Sequence, residues 1–246
     1  MKKIIILLLV LFPVTVFCMV RDSTNTNTDS TKSKRLEMRI SFSPDYCFRK
    51  LKPDADSKWI ADVRDTLEIP KFGYTVGFGF AYKINKKISV EAGVLFSDKG
   101  ERTKKYILEN VPSGQHATEY SFNFHNYYLD IPVKANYFIL TGKLKLYVTA
   151  GVSVNVFLNQ KITSITTFAN SDKRTTSKND QGFSRINLAY LGGVGIVYPI
   201  NTKTTLNIEP IYSRSITSII NAPVKSYLYS MGINIRLCFN LPSCKK

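Results

Sequence analysis

Hydrophobic and polar residues alternate with a period of two along most of the chain after about residue 35. From Leu144 to Leu158 the even positions are apolar, and most of the odd positions between them carry Lys, Thr, Ser, Asn or Gly. The same alternation runs from Phe72 to Ile84 and from Tyr227 to Phe239. Successive side chains of a strand point to opposite faces, so this period predicts β-strands rather than helices.

The pattern predicts eight strands with connections of unequal length. The strands cover approximately 36–48, 72–85, 87–99, 120–140, 143–160, 185–200, 204–214 and 225–240. Several reach the ~9–11 residues with which a tilted strand crosses a bilayer. Three connections are tight turns, near residues 85, 141 and 202, and the other four are long, near 49–71, 100–119, 161–184 and 215–224.

Short turns at one end of a barrel and long loops at the other are typical of outer-membrane proteins. We therefore predict an all-β fold in which residues 35–241 form one eight-stranded antiparallel up-and-down transmembrane β-barrel, with short periplasmic turns and long extracellular loops. The strands of a soluble barrel or sandwich also alternate between apolar and polar residues. Their polar face would meet water and carry Lys and Glu, whereas the polar positions of this chain carry Gly, Ser, Thr and Asn. Aromatic residues near strand ends predict two interfacial girdles. They are Tyr82, Tyr137 and Tyr198 at one rim and Tyr46, Phe96, Tyr127, Tyr212 and Tyr227 at the other.

The first residues have the layout of a secretory signal peptide. Two lysines follow Met1, an unbroken apolar run extends from Ile4 to Phe12, and a cleavage position follows Cys18. In a second interpretation Cys18 is lipidated, although the bulky Phe17 precedes it. We predict a signal peptide at 1–18, a flexible polar linker at 19–34 and a short C-terminal tail at 242–246, which makes the barrel an exported protein of the bacterial outer membrane.

The chain is strongly basic, with 34 Lys and Arg against 18 Asp and Glu and a formal net charge of +16. These basic residues are scattered, and no nucleic-acid-binding motif accompanies them, so an exported chain makes nucleic acid an unsuitable partner. Anionic lipid head groups or surface sugars are better candidates, and a solvated basic surface is the alternative.

The cysteines give no disulfide framework. Cleavage after residue 18 would leave Cys47, Cys238 and Cys244, an odd number without metal-ligand spacing. We expect Cys47 to be a small buried residue, and a link between Cys238 and Cys244 is a further alternative. The sequence shows no cofactor motif and no metal site.

Two histidines are the only candidates for catalysis by a lipid-modifying enzyme. His116 lies in a predicted loop, and His125 enters the fourth strand with Ser121 and Asp130 near it in sequence. Strand alternation places His125 on the lipid-facing side, away from Asp130. No nucleophile elbow is present, so we predict no catalytic residue.

Several stretches resemble one family of barrel proteins. The signature residues are Tyr128, Leu129, Asp130, Ile131 and Pro132, which are similar to the Tyr-Leu-Glu-Ile-Pro signature of the PorT-like outer-membrane β-barrel proteins of the Bacteroidota. The stretches 91–100, 147–151 and 191–195 resemble further strands of that family, and the likeness spans roughly 36–240. The resemblance implies an outer-membrane barrel and, more loosely, a link to type IX protein secretion.

If the apolar positions face lipid, the alternate positions face the lumen. The charged residues there are Glu37, Arg39, Glu91, Asp130, Lys134, Glu209 and Arg236, with Lys83 and Lys145 near the periplasmic end. Eight strands enclose just enough space for side chains, and unpaired charges in it are costly. We therefore predict a lumen charge network that plugs the barrel, and a charged permeation path is the alternative.

These features together predict a non-enzymatic protein without cofactors that has a structural or interaction role at the cell envelope. The expected partners are outer-membrane lipid, lipopolysaccharide and envelope or secretion-system proteins, with the barrel itself a monomer. A small-solute channel is the second interpretation, and a lipid-modifying enzyme is the third.

Overall fold

Ten strands and one α-helix make up most of the chain that the computed structural model describes, which comprises residues 35–107, 117–142, 144–168 and 171–241. The predicted signal peptide, linker and tail, with Cys18, His116 and Cys244, lie outside these residues. The helix α1 is Lys58–Leu67, preceded by a 3-10 turn at Ala55–Ser57. No helix in the described residues is long and apolar enough to cross a membrane. The strands are β1 (Leu36–Pro53), β2 (Glu68–Lys83), β3 (Ile88–Lys99), β4 (Glu101–Thr103), β5 (Ala117–Thr141), β6 (Lys145–Phe168), β7 (Ser171–Lys178), β8 (Ile186–Pro199), β9 (Thr204–Ser215) and β10 (Val224–Asn240).

Eight of these strands close into a ring. In ring order they are β1, β2, β3, β5, β6, β8, β9 and β10, and each pairs antiparallel with the next. The ring closes because β10 pairs with β1, from Glu37 opposite Asn240 to Pro53 opposite Val224. Closure leaves no open edge in the ring, and the predicted eight-stranded up-and-down barrel is confirmed.

The long connections contain more regular structure than the sequence predicted. Strands β1, β5 and β6 extend beyond their predicted ends, β4 bridges β2 and β5, and β7 pairs with the end of β6. These segments were expected to be loops because both faces of strands such as β7 are polar and solvated, which hides the period of two. Helix α1 was also missed, since it is only 10 residues long.

The outer face of the ring is apolar. On β2, Phe72, Val76, Phe78 and Phe80 are exposed, and Phe72 lies ten residues from Tyr82. At about 3.3 Å per residue and a tilt of about 40°, this distance corresponds to a band about 25 Å high, the height of the apolar band of an outer-membrane barrel. Aromatic rings border the band at the long-loop end, where Tyr46 contacts Phe72 at 5.4 Å between ring centroids.

The inner face is polar and crowded, as the alternation predicted. Buried charged and hydroxyl side chains of the ring strands fill the lumen, and glycines make room for the largest of them. A Cβ atom at Gly195 would overlap the ring of Tyr147 on the neighbouring strand, and one at Gly232 would overlap the carboxylate of Asp45. The interior therefore depends on the absence of side chains at these two positions.

Candidate functional site

Two buried carboxylates form the centre of a charge network near the short-turn end of the lumen. Glu209 accepts hydrogen bonds from Lys134 Nζ at 3.0 Å and from the Tyr147 hydroxyl at 2.7 Å, and it pairs with Arg236. Glu91 lies 3.1 Å from Lys134 Nζ and 2.6 Å from Arg236 Nη1. Both Glu91 and Glu209 therefore pair with the same two cations, Lys134 and Arg236. Every charge in this group has an opposite charge next to it.

A third carboxylate extends the network toward β1 and β2. Glu37 pairs with Arg39 at 3.0 Å and with Lys83 at 2.5 Å, and Arg39 also pairs with Glu91. Every ring strand except β8 contributes a side chain to the network, and β8 supplies Gly195, which admits Tyr147. Charges buried in this way are tolerated because they are paired and hydrogen-bonded. Lys145, predicted near this end, makes no ion pair with a carboxylate of the described residues.

The predicted network residue Asp130 lies elsewhere in the lumen. Its Oδ2 accepts a hydrogen bond from Lys99 Nζ at 2.7 Å. Both side chains line a cavity of about 70 Å³ on the long-loop side of the network. Asp45 lines the same cavity and accepts hydrogen bonds from Ser43 at 2.6 Å and Thr75 at 2.5 Å. The sequence missed Lys99, although its position at the end of a lumen-facing series on β3 was a usable signal.

An apolar cluster fills the lumen at the long-loop end. Tyr128, Phe157, Leu228 and Ile219 are buried together, and Phe183 stacks on Phe157 with ring centroids 4.4 Å apart. Ile219 and Phe183 come from the long connections, so two of the predicted loops fold over the mouth of the barrel. The lumen is thus filled by ion pairs at one end and by apolar side chains at the other.

Helix α1 is held on the barrel by a buried arginine. Arg49 donates from Nε to Glu68 at 2.6 Å and from Nη1 to Asp65 at 2.9 Å, and Arg64 donates to Glu68 at 2.7 Å. Glu101 lies 3.8 Å from Arg64 and is also buried. Burial, followed by the charge of Glu68, raises the pKa of Glu101 to about 7. These residues lie beyond the aromatic border of the apolar band.

His125 has other partners than those that the sequence suggested. Its Nδ1 lies 2.8 Å from Lys71 Nζ and 2.8 Å from Asp98 Oδ2, and Lys71 and Asp98 are 2.8 Å apart. Asp130 pairs with Lys99 instead, and Ser121 lies on β5 opposite Ile165. The predicted lipid-facing side of His125 agrees with its stacking on Tyr127, a ring of the aromatic border.

Both described cysteines are buried free thiols. Cys47 and Cys238 are 0% and 1% exposed, and the partner considered for Cys238, Cys244, lies outside the described residues.

Comparison with models of known protein families places the chain in a family. The family model for the outer membrane protein beta-barrel domain matches residues 57–221, which is more than half of the chain. No curated protein matches the sequence.

Among solved structures, the chain is similar to Neisserial surface protein A, with 18% identity, a TM-score of 0.40 and coverage of 84% of this chain and 97% of that chain. It is also similar to OprG from Pseudomonas aeruginosa, with 15% identity, a TM-score of 0.46 and coverage of 84% and 97%. A third similar structure is Ail, the attachment invasion locus protein of Yersinia pestis, with 13% identity, a TM-score of 0.30 and coverage of 82% and 97%.

The three TM-scores are below 0.5, and no conclusion about this chain rests on these similarities. The family match, the closed ring of eight strands and the outward apolar band agree with one another, and the long-loop end is accordingly extracellular and the short-turn end periplasmic. The chain belongs to the outer membrane protein beta-barrel domain family and is an integral β-barrel protein of the bacterial outer membrane.

Proposed function

We propose that this protein is a non-enzymatic barrel with a closed lumen that has a structural or interaction role at the cell envelope. The observation that carries the proposal is the charge network of Glu37, Arg39, Glu91, Lys134, Glu209 and Arg236. Five ring strands meet in it through buried ion pairs, and Lys83 of β2 and Tyr147 of β6 join it through an ion pair with Glu37 and a hydrogen bond to Glu209. A solute would have to separate these pairs and then pass the apolar cluster at the extracellular end, and separating buried charges costs several kcal/mol per ion.

Planar-bilayer conductance of the reconstituted protein tests the closed lumen. The wild-type barrel should give no conductance steps, whereas the variant Glu91→Ser/Arg236→Ser/Phe157→Ser, which opens both the charge network and the apolar cluster, should give ion-conducting steps. Flotation of both proteins with lipid vesicles controls for insertion. Conductance steps from the wild-type barrel would contradict the proposal.

A small-solute channel is the second candidate, and the cavity of about 70 Å³ favours it. This cavity is lined by charged, hydroxyl, amide and apolar side chains, among them Asp45, Ser153, Asn234 and Leu191, and its size suits a few water molecules. A channel would need a route from the cavity to both ends of the lumen. The same conductance measurement separates the two candidates, because a channel conducts without any substitution.

The proposed absence of enzymatic activity has its own test. A lipid-modifying enzyme would act through His125, which contacts Asp98 and Lys71 at the outer surface. The lipid A acyl pattern of cells should therefore be the same with the wild-type protein, with His125→Ala and without the gene. An altered acyl pattern on deletion, reproduced by His125→Ala, would show an enzyme.

We also propose that the chain is a PorT-like member of its family, with the implied link to type IX secretion. The support for this is the signature from Tyr128 to Pro132, in which Tyr128 packs in the apolar cluster and Asp130 pairs with Lys99. Capture of the crosslinked, tagged protein from its own outer membrane should recover secretion-system proteins. Recovery of none of them, with other envelope partners present, would contradict the secretion link.

A further inference from the structure

We propose that a row of basic residues on the extracellular part of the barrel binds the phosphate of an anionic outer-leaflet lipid. The row consists of His125 on β5, Lys161 on β6 and Lys178 on β7; Lys71 of β2, beside His125, is buried and paired with Asp98 and is not part of the row. This inference deepens the proposed role at the cell envelope, because it assigns the expected lipid partner to particular side chains.

The row is defined by strand pairing. His125 lies directly opposite Lys161, and Lys161 lies directly opposite Lys178. Like charges directly opposite each other in a sheet destabilise it, and two lysines occupy such a pair here. Lys178 is exposed and Lys161 is partly exposed, so an anion can approach both ammonium groups. A bound phosphate would remove the repulsion that the bare pair carries.

The neighbouring carboxylates are already engaged. Asp98 is 5% exposed and contacts both Lys71 and His125 at 2.8 Å. Asp180, which follows the end of β7, accepts a hydrogen bond from the backbone N–H of Gln160 at 3.0 Å. Within the described residues, neither Lys161 nor Lys178 has an ion pair with a carboxylate. The row therefore retains a net positive charge that no part of the described protein neutralises.

The height of the row matches the head-group layer of the membrane. Lys161 Nζ lies 5.4 Å from the centroid of the Tyr127 ring, and Tyr127 stacks on Phe96 at 5.6 Å. These rings belong to the aromatic border of the apolar band, where tyrosine sits at the level of lipid head groups. Lysines just above such a border meet lipid phosphates, and a lysine binds phosphate as a point charge.

Lipid binding by the folded, full-length protein in dodecyl maltoside micelles tests the proposal. The probe is diphosphoryl lipid A, and native mass spectrometry measures the fraction of protein that retains it. The double variant Lys161→Gln/Lys178→Gln should bind lipid A at least about 10-fold more weakly than the wild type, a change of about 1.4 kcal/mol, because it removes both ammonium groups that contact the phosphate. The control Lys86→Gln/Lys87→Gln removes the same charge at the periplasmic turn and should bind like the wild type. Heat-modifiable gel mobility shows that each variant is folded.

Three results would overturn the proposal. Unchanged lipid A binding by Lys161→Gln/Lys178→Gln would show that the row is not the site. An equal loss in Lys86→Gln/Lys87→Gln would show an effect of net charge alone. Displacement of lipid A by inorganic phosphate at an equal concentration would identify the free ion as the ligand. The conductance test of the closed lumen does not involve these outward side chains, so either proposal can fail without the other.

Discussion

Single glycines decide whether the large side chains of the lumen fit. Gly195 on β8 lies directly opposite Tyr147 on β6, whose hydroxyl donates a hydrogen bond to Glu209. The Tyr147 ring occupies the space that a side chain at position 195 would fill. The glycines that the sequence shows on the inner face therefore take part in the charge network by leaving space for it.

Gly195→Ala should lower the free energy of unfolding by about 1–3 kcal/mol, because overpacking displaces Tyr147 from its hydrogen bond. Urea unfolding of the folded barrel in micelles measures the change. Gly192→Ala is a matched control on the same strand, since the nearest atom to its Cβ would be the Thr149 carbonyl oxygen at 3.7 Å. Equal stabilities of the two variants would show that Gly195 is not required for packing.

A second prediction at the residue scale concerns pH. Burial and the charge of Glu68 raise the pKa of Glu101 from its usual 4.5 to about 7 in the folded protein. The folded state therefore binds the proton more tightly, and the stability that this contributes is complete below about pH 4.5 and is lost as the pH rises through about 7.

Glu101→Gln keeps the position neutral and should remove this pH dependence. We expect the variant to be more stable than the wild type by about 3 kcal/mol at about pH 8, as measured by urea unfolding at a series of pH values. Glu119→Gln changes a more exposed carboxylate, which pairs with Lys105 at 2.6 Å, and should leave the pH dependence as it is. A wild-type stability that does not fall with rising pH over this range would contradict the raised pKa.

At the scale of the elements, helix α1 is attached to the barrel at two places, one of them a buried arginine. Arg49 is 1% exposed and joins β1 to Glu68 at the start of β2 and to Asp65 in the helix. Ala61 of the helix packs against Leu51 and Val224. The helix is thus attached by one ion cluster and one small apolar cluster, and its position should be sensitive to the loss of either.

Arg49→Met should loosen α1 while the ring strands stay folded, because it leaves Glu68 with one fewer buried cation. Hydrogen exchange followed by mass spectrometry should show the amides of 58–67 exchanging at least about 10-fold faster, with the exchange of β8 and β9 unchanged. Lys58→Met, an exposed change in the same helix, is the control. Unchanged protection of α1 in Arg49→Met would contradict the account.

The ring strands could be predicted from the sequence, but their extracellular extensions could not. In the ring one face meets lipid and the other meets the lumen, so apolar and small polar residues must alternate. Beyond the aromatic border both faces of β7 meet water. Its residues, such as Arg174 and Thr175, are therefore polar on both faces and show no alternation of apolar and polar positions. Helix α1 was hidden for a related reason, since Trp59 and Val63 remain exposed although they lie at helical spacing.

The candidate site was predictable to a similar degree. Alternation assigned Glu91, Lys134, Glu209 and Arg236 to the lumen, where the structure brings them together. It could not assign Asp130 to a separate pair with its own partner, because the height of a residue along the barrel depends on the register between strands. Register follows from the whole set of cross-strand pairings, and a single strand does not reveal it.

At the scale of the whole molecule, the protein is a barrel whose outer face is apolar and whose interior is filled by paired charges. The apolar band is bordered at both rims by aromatic residues, including Tyr46 at the extracellular rim and Tyr198 at the periplasmic rim. The extracellular side adds the helix and the strand extensions. The central claim is therefore the orientation of the outer face toward lipid.

Fluorescence quenching of a single tryptophan tests this orientation directly. Trp59 is the one tryptophan of the chain, and it is 67% exposed in α1, beyond the membrane band. In vesicles, the wild-type Trp59 should be quenched by aqueous iodide, whereas Trp59→Phe/Phe78→Trp should be quenched by lipids brominated near the ends of their acyl chains and protected from iodide. Iodide quenching of the tryptophan at position 78, without quenching by brominated lipid, would contradict the account.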